Sequence, residues 1–224
     1  DIALVPSFAV VMPLSGSFEN MWVGFGVNAP YGLKTEWESD WVGRYNAVTS
    51  DVKIIDGTLS AAWKASEQFS FGAGVVLQHA EVTVTNALDL GTAVCSQLAA
   101  GAGTAAGLAA FSAMCLNPAT AVYGPGRNDG FLSVSGKDNG IGFTIGMQWK
   151  PTERFALGYN YKSEIDHTLD GDIDCTIPAA VAGLPGMNTR FADGPGGAAL
   201  TTPSTHTISA QYDFTDSFRM MGEF

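Results

Sequence analysis

The sequence predicts an all-β fold, an antiparallel up-and-down barrel that crosses a membrane with its strands. Three observations predict it: apolar residues recur at every second position, the face between them is small and polar rather than charged, and short connections alternate with long ones. Side chains alternate across a strand, so a period of two sorts them onto two faces.

The alternation is clearest in FSFGAGVVLQHAEVTV (Phe69–Val84). There Phe69, Phe71, Ala73, Val75 and Leu77 share a face, and Ser70, Gly72, Gly74 and Gln78 share the other. GIGFTIGMQWK places Ile141, Phe143, Ile145, Met147 and Trp149 against glycines, Thr144, Gln148 and Lys150. FALGYNYK opposes Phe155, Leu157, Tyr159 and Tyr161 to Ala156, Gly158, Asn160 and Lys162. WVGFGVNAPY sets Val23, Phe25, Val27, Ala29 and Tyr31 against Gly24, Gly26 and Asn28. TLSAAWK and TISAQYDF repeat the pattern, and PSFAVVMPL is apolar on both faces. A soluble sandwich or lipocalin-like barrel also alternates, but its outer face is rich in Lys, Glu and Asp. Here the second face is Gly, Ser, Thr, Asn and Gln, which suits a barrel interior, so the apolar face is assigned to lipid.

Short turns fall at SGSFEN, SEQ, PTER and TDS, and long connections at about 34–50, 86–128 and 173–202. That rhythm puts turns at one end of a meander and loops at the other. Trp22, Trp63, Phe69, Phe71, Trp149, Phe155, Phe214 and Phe218 lie beside the short turns, where an interfacial girdle belongs. Seven strands and the start of an eighth, FRMMGEF, are legible. Eight strands close a very narrow barrel, and the loops take up much of the chain. Residues 1–224 therefore read as one segment of a larger barrel, opening at Asp1 without a signal peptide.

Composition agrees. Charged residues are 15% and hydrophobic residues 46% of the 224, with 27 glycines. The net charge of −11 and pI of about 4.5 argue against a nucleic-acid partner. The most apolar run, Leu98–Met114, is mostly Ala and Gly and falls short of the roughly 20 residues of a spanning helix. Cys95 and Cys115 bracket that run; a disulfide between them and three free thiols, Cys175 included, are both open. His79, His167 and His206 lack metal-ligand spacing, no nucleophile–His–acid set stands out, and no metal, cofactor or enzymatic activity is expected. The acidic column Glu164, Asp166, Asp170, Asp172 and Asp174 matches no calcium loop and reads as a hydrated strand extension.

Three ordered segments resemble the outer-membrane long-chain fatty acid transporter family, the FadL type. VGFGVNAPYGLKTEW (Val23–Trp37) is similar to its third strand, LSAAWKASEQFSFGAGV (Leu59–Val75) to the following hairpin, and ALGYNYKSEI (Ala156–Ile165) to its Y-R-S-E strand. The resemblance implies a fourteen-stranded barrel of which this chain covers about strands two to nine, without the N-terminal hatch or the last strands. Asn117–Ala119 is a loop Asn-Pro-Ala, not the hatch motif of that family. It implies partly helical extracellular loops, with Leu98, Leu108, Phe111, Met114 and Leu116 as a capture site for an apolar ligand or as helix packing against the 173–202 connection. It implies a lateral gap at Pro30, Tyr31, Gly32 and Leu33, where the family strand kinks, with an ordinary bulge as the alternative. Asn86, Gln78 and Asn160 are the expected lumen residues. Asn86 stands where fatty acid transporters of the family carry an arginine, which tilts the reading toward a neutral hydrocarbon. The implied partners are a hydrophobic small molecule or lipid, with outer-membrane lipid and lipopolysaccharide around the wall. The rival from another class is a structural or adhesive barrel whose loops bind protein; a barrel esterase or acyltransferase is a more distant one.

Overall fold

A computed structural model describes residues 7–117 and 119–224. Eight strands form one antiparallel wall in the order β1 (Ser7–Pro13), β2 (Met21–Glu36), β3 (Thr49–Lys64), β4 (Phe69–Leu88), β5 (Gly130–Thr152), β6 (Phe155–Lys162), β9 (Thr205–Thr215) and β10 (Phe218–Glu223). Two further strands, β7 (Ile165–Thr176) and β8 (Gly194–Thr202), form a ribbon at the loop end. Of the predicted first strand, Pro6 lies outside the described residues, as does Pro118 of the Asn-Pro-Ala segment.

Register aligns the alternating residues into rows. Val10, Phe25, Leu59, Val75 and Phe143 are successive cross-strand partners. Each keeps 41 to 65% of its surface uncovered by protein, as a wall facing hydrocarbon requires. One position along, Gly26, Thr58, Val76 and Gly142 form the opposing row of the inner face. At the turn end, Trp63 meets Phe71, Phe69 stacks on Phe71 and Trp149, and Phe155 tilts against Tyr212, so the girdle is made of aromatic contacts between neighbouring strands. The tight turn before β4 follows from Ser66, whose hydroxyl accepts from the amides of Gln68 and Phe69 at 3.2 and 3.1 Å.

The strands run further than the sequence predicts, and the connections shrink to 37–48, 89–129 and 177–193. Strand pairing persists through polar sequence once it leaves the bilayer, because the ladder bonds form regardless of which solvent meets the side chains. The 89–129 connection folds into α1 (Leu90–Ala100) and α2 (Ala105–Phe111), followed by a wider turn at Ser112–Leu116. The 177–193 connection holds two single turns, α3 (Ala179–Ala182) and α4 (Met187–Arg190).

One face assignment changes. Between Asn28↔Asp56 and Tyr31↔Ile54 the β2–β3 register shifts, so Ala29 and Pro30 stand opposite Ile55 alone. A bulge of one residue inverts the parity beyond it. Tyr31, expected with Phe25 on the lipid face, instead packs inside against Ile54, Ala80 and Leu169.

Two predictions follow from this wall. Val75→Arg should cost about 2–4 kcal/mol of folding free energy in a bilayer, and Thr207→Arg on the inner face markedly less. Urea titration of folding into phosphatidylcholine vesicles measures both, and equal costs would mean that the faces are misassigned. Replacing Cys95 and Cys115 together by serine opens a 20-residue closed loop. It should cost about 3 kcal/mol of local stability, seen as faster amide exchange in 90–116 with the wall unchanged.

Candidate functional site: a loop roof above a latched inner wall

The roof begins with helix caps. Asp89 accepts from the amide and hydroxyl of Thr92 at 2.9 and 2.7 Å, starting α1, and Thr104 accepts from the Gly107 amide at 3.1 Å, starting α2. Leu90 and Val94 of α1 bury against Val181 of α3 and Met187 of α4, with Leu88, Leu98, Tyr123 and Phe191 around them. The Tyr123 hydroxyl donates to the Ala180 carbonyl at 3.0 Å, joining the two connections. Cys95 and Cys115 are joined by a disulfide, and the part-buried Cys175 is free. Burial, then Asp193 and Asp174, push the Cys175 thiol above its usual range.

The roof is tied to the 37–48 connection by charge. The Arg44 guanidinium donates to Asp129 at 2.6 Å and the Tyr45 hydroxyl to the same carboxylate at 2.9 Å. Burial, then Asp129, raise the Tyr45 phenol. The Ala87 amide donates to the Arg44 carbonyl at 2.8 Å, so the connection also extends the edge of β4.

The capture candidates therefore divide. Leu98 is packed into the roof core rather than offered to a ligand. Phe111 and Leu116 line a hollow of about 290 Å³ with Ala99, Pro125 and the two bridged cysteines. Leu108 and Met114 stand exposed beside it. At the proposed gap, pairing resumes at Tyr31↔Ile54, Gly32↔Lys53 and Leu33↔Val52 directly after the bulge, and a Cβ on Gly32 would meet nothing nearer than the Val52 carbonyl at 4.0 Å.

Below the roof the hairpin of β6–β7 and β8–β9 bends inward. Its register is continuous from Lys162↔Thr205 to Ile165↔Thr202, so both strands bend together at Ser163–Glu164 and Pro203–Ser204. Proline has no amide to donate to a ladder, which suits Pro203 to the bend. Beyond the bond from the Ser163 amide to the Phe143 carbonyl at 2.9 Å, β5 loses its ladder to this hairpin and regains it at Lys137↔Asp170. Side chains substitute for the lost bonds: the Ser163 hydroxyl accepts from the Phe143 amide at 3.0 Å, and Asp138 accepts from the Thr168 amide at 3.0 Å.

The bent ribbon presses Ile165, His167 and Leu169 onto the inner face of β3–β5, leaving Asp166, Thr168 and Asp170 exposed. Room for it comes from glycine. A Cβ on Gly140 would lie 2.4 Å from Ile165 and 2.8 Å from His167, and one on Gly142 would lie 2.6 Å from Ile165. Above, the ribbon and wall enclose an apolar hollow of about 130 Å³ lined by Val82, Val84, Val134, Leu169 and Ala198.

A buried polar chain latches the ribbon down. Gln78, paired with Asp56 across the strands, donates to its carboxylate at 2.6 Å. The Gln78 carbonyl oxygen then faces the Thr202 hydroxyl at 2.8 Å and His167 Nε2 at 2.9 Å, both from the ribbon. His167 Nδ1 lies 3.2 Å from Asp138. Lys162 reaches over from β6 to the second oxygen of Asp56. Among the described residues no buried side-chain polar atom lacks a partner.

Of the expected lumen residues, Gln78 sits at the centre of this chain. Asn160 accepts from Thr144 at 2.8 Å on the open inner face, and Asn86 only donates to the neighbouring Ala87 carbonyl at 3.3 Å. Asp56, Asp138, Lys162 and His167 escape the sequence reading as a site. The one available signal is Ile165-x-His167-x-Leu169, an apolar face with a histidine inside it, running opposite the acidic column.

Comparison with known proteins places this geometry. The long-chain fatty acid transport protein of Salmonella typhi is 26% identical over 182 residues, 80% of this chain and 37% of the relative. The chain spans less than half the length of the curated relatives it matches. A FadL homologue of Pseudomonas aeruginosa superposes over 98% of this chain and 47% of its own, with a TM-score of 0.74 at 22% identity. The toluene transporter TodX of Pseudomonas putida does so over 98% and 53%, with a TM-score of 0.58 at 16% identity. These two share the fold, in which the present wall is a curled half-barrel of fourteen-stranded architecture. A family model described as outer membrane protein transport protein (OMPP1/FadL/TodX) matches residues 1–224. The chain thus belongs to that family of bacterial outer-membrane transporters and channels, which are not enzymes.

Proposed function

We propose that the protein carries hydrophobic molecules, long-chain fatty acids or hydrocarbons, across the outer membrane by capture in the loop roof, transfer into the lumen and lateral release into the bilayer. The observation that carries this reading is the hollow of about 290 Å³ beside the disulfide, bordered by Phe111 and Leu116 and flanked by exposed Leu108 and Met114. Apolar side chains on a water-facing loop are unfavourable unless something covers them, and a mobile apolar ligand does so at roughly 25 cal/mol per Å² buried.

The route inward is supported by the smaller apolar hollow between the ribbon and Val82, Val84 and Val134. The exit is read at the β2 bulge. Pro30 cannot donate a ladder bond and Gly32 places no side chain across the strand. The names of relatives agree with cargo of this class: one is a long-chain fatty acid transport protein and one fold neighbour a toluene transporter. Outer-membrane lipid and lipopolysaccharide are the proposed surroundings of the apolar wall and aromatic girdle. The full-length protein would carry the hatch and the strands beyond this eight-stranded wall, residues 1–224 supplying about strands two to nine.

Two uptake measurements test the path. Changing Phe111 and Leu116 together to serine should lower initial uptake of a radiolabelled hydrophobic probe by roughly tenfold, the loss of about 1.5 kcal/mol or more of apolar contact. Unaltered uptake would remove the roof from the path and favour loops that bind other proteins. Gly32→Val fits the fold sterically and should slow uptake while leaving heat-resistant gel mobility intact. Normal uptake by that folded variant would leave the bulge a structural feature only.

A further inference from the structure

The inner face of the wall offers a carboxylate very little. Lys64, Lys150 and Arg219 lie at the turn end of β3, β5 and β10, the last already paired with Asp213. Away from that end, Lys162 is the inward-facing cation among the described residues, and its ammonium is already paired with Asp56. That pair is withdrawn from water, with the lysine side chain 15% and the aspartate 3% exposed. The Oδ1 oxygen of Asp56, the one Lys162 does not take, is held by Gln78, whose own oxygen is held by Thr202 and His167. Asp138 closes the other end of the chain with another carboxylate.

An anionic ligand could reach Lys162 only by displacing Asp56. That would leave a buried carboxylate without its counter-charge, the arrangement that costs most in a low-dielectric site. The displaced ligand charge would also meet the fields of Asp56 and Asp138. A neutral ligand meets no such penalty. It can lie in the apolar hollow bordered by Val82, Val84, Val134 and Ala198 without disturbing the chain.

We infer that Asp56 is a selectivity-determining residue: by occupying Lys162 it closes the inner wall to carboxylates and leaves the path to neutral hydrophobic molecules. This rests on the transport reading above and narrows its cargo to the uncharged class. Asp56→Asn keeps the size of the side chain and releases the ammonium, which then becomes a carboxylate-binding group of the ordinary charge-assisted kind.

The test compares two probes of equal chain length, hexadecanoic acid and hexadecanol, in uptake by vesicles carrying the full-length protein at neutral pH. The parent protein should favour the alcohol. Asp56→Asn should raise the acid-to-alcohol ratio by roughly tenfold or more, the scale of one charge-assisted hydrogen bond. Adding Lys162→Met to it should return the ratio to the parent value with alcohol uptake retained. If Asp56→Asn does not fold, Asp56→Ser, which leaves space for water around the ammonium, should show the same rise. A parent protein that takes both probes equally, or a folded variant with an unchanged ratio, overturns the inference while leaving transport intact. Uptake of neither probe by the folded parent overturns the transport reading and this inference together.

Discussion

A strand in hydrocarbon has no water to satisfy its amides and carbonyls, so each of its backbone groups must bond sideways to a neighbouring strand. That constraint organises the molecule. It forces consecutive strands into one antiparallel wall, and the wall in turn forces a period of two on the side chains. The outer row of Val10, Phe25, Leu59, Val75 and Phe143 and the inner row of Gly26, Thr58, Val76 and Gly142 are two sides of the same requirement. The girdle at the turn end marks where the requirement relaxes and amphipathic rings become the favoured residues.

Two departures from the ladder away from the turns are informative because the constraint makes them costly. At Ala29–Pro30 a single extra residue is absorbed and pairing resumes at once. At Asp138–Phe143 the separation is longer, and the side chains of Asp138 and Ser163 take up backbone amides there while the Gln78 chain holds the ribbon to the wall. The replacement needs a wall without inner side chains, which Gly140 and Gly142 provide. The ribbon could not lie inside the barrel if either position carried a larger residue, so the glycines of β5 and the bend of the hairpin are one feature seen from two sides.

The wall was legible in the sequence because its signal is local and repeated. The stretches Phe69–Leu77 of β4, Ile141–Trp149 of β5 and Phe155–Tyr161 of β6 each contain enough alternation to assign both faces. Tyr31 was misplaced for the same reason: period two carries no information about where a bulge will reverse it, and Pro30 was the only mark of one. The inner chain was illegible because its members are distant. Lys162 lies 106 residues from Asp56 and His167 lies 89 from Gln78, and each alone is an ordinary polar residue of a barrel interior. The roof stands between these cases. Its helical character is implied by the family resemblance, but Leu98 joins the buried core because its neighbours come from 177–193, beyond the reach of any local pattern.

Those separations also bear on how such a wall is assembled. Adjacent hairpins can pair as they arrive, since their contacts are close in sequence. Asp56 cannot be neutralised that way. β3 and β4 bring Gln78 to it, but the ammonium that balances its charge comes with β6, and the Thr202 and His167 that hold Gln78 come later still, at a separation of up to 124 residues. Until the hairpin from Phe155 to Thr215 is in place, the half-built sheet carries an unbalanced anion on its inner face, a group that water must still reach. The closing of that hairpin is then both the last step in building this part of the wall and the moment at which its interior becomes dry.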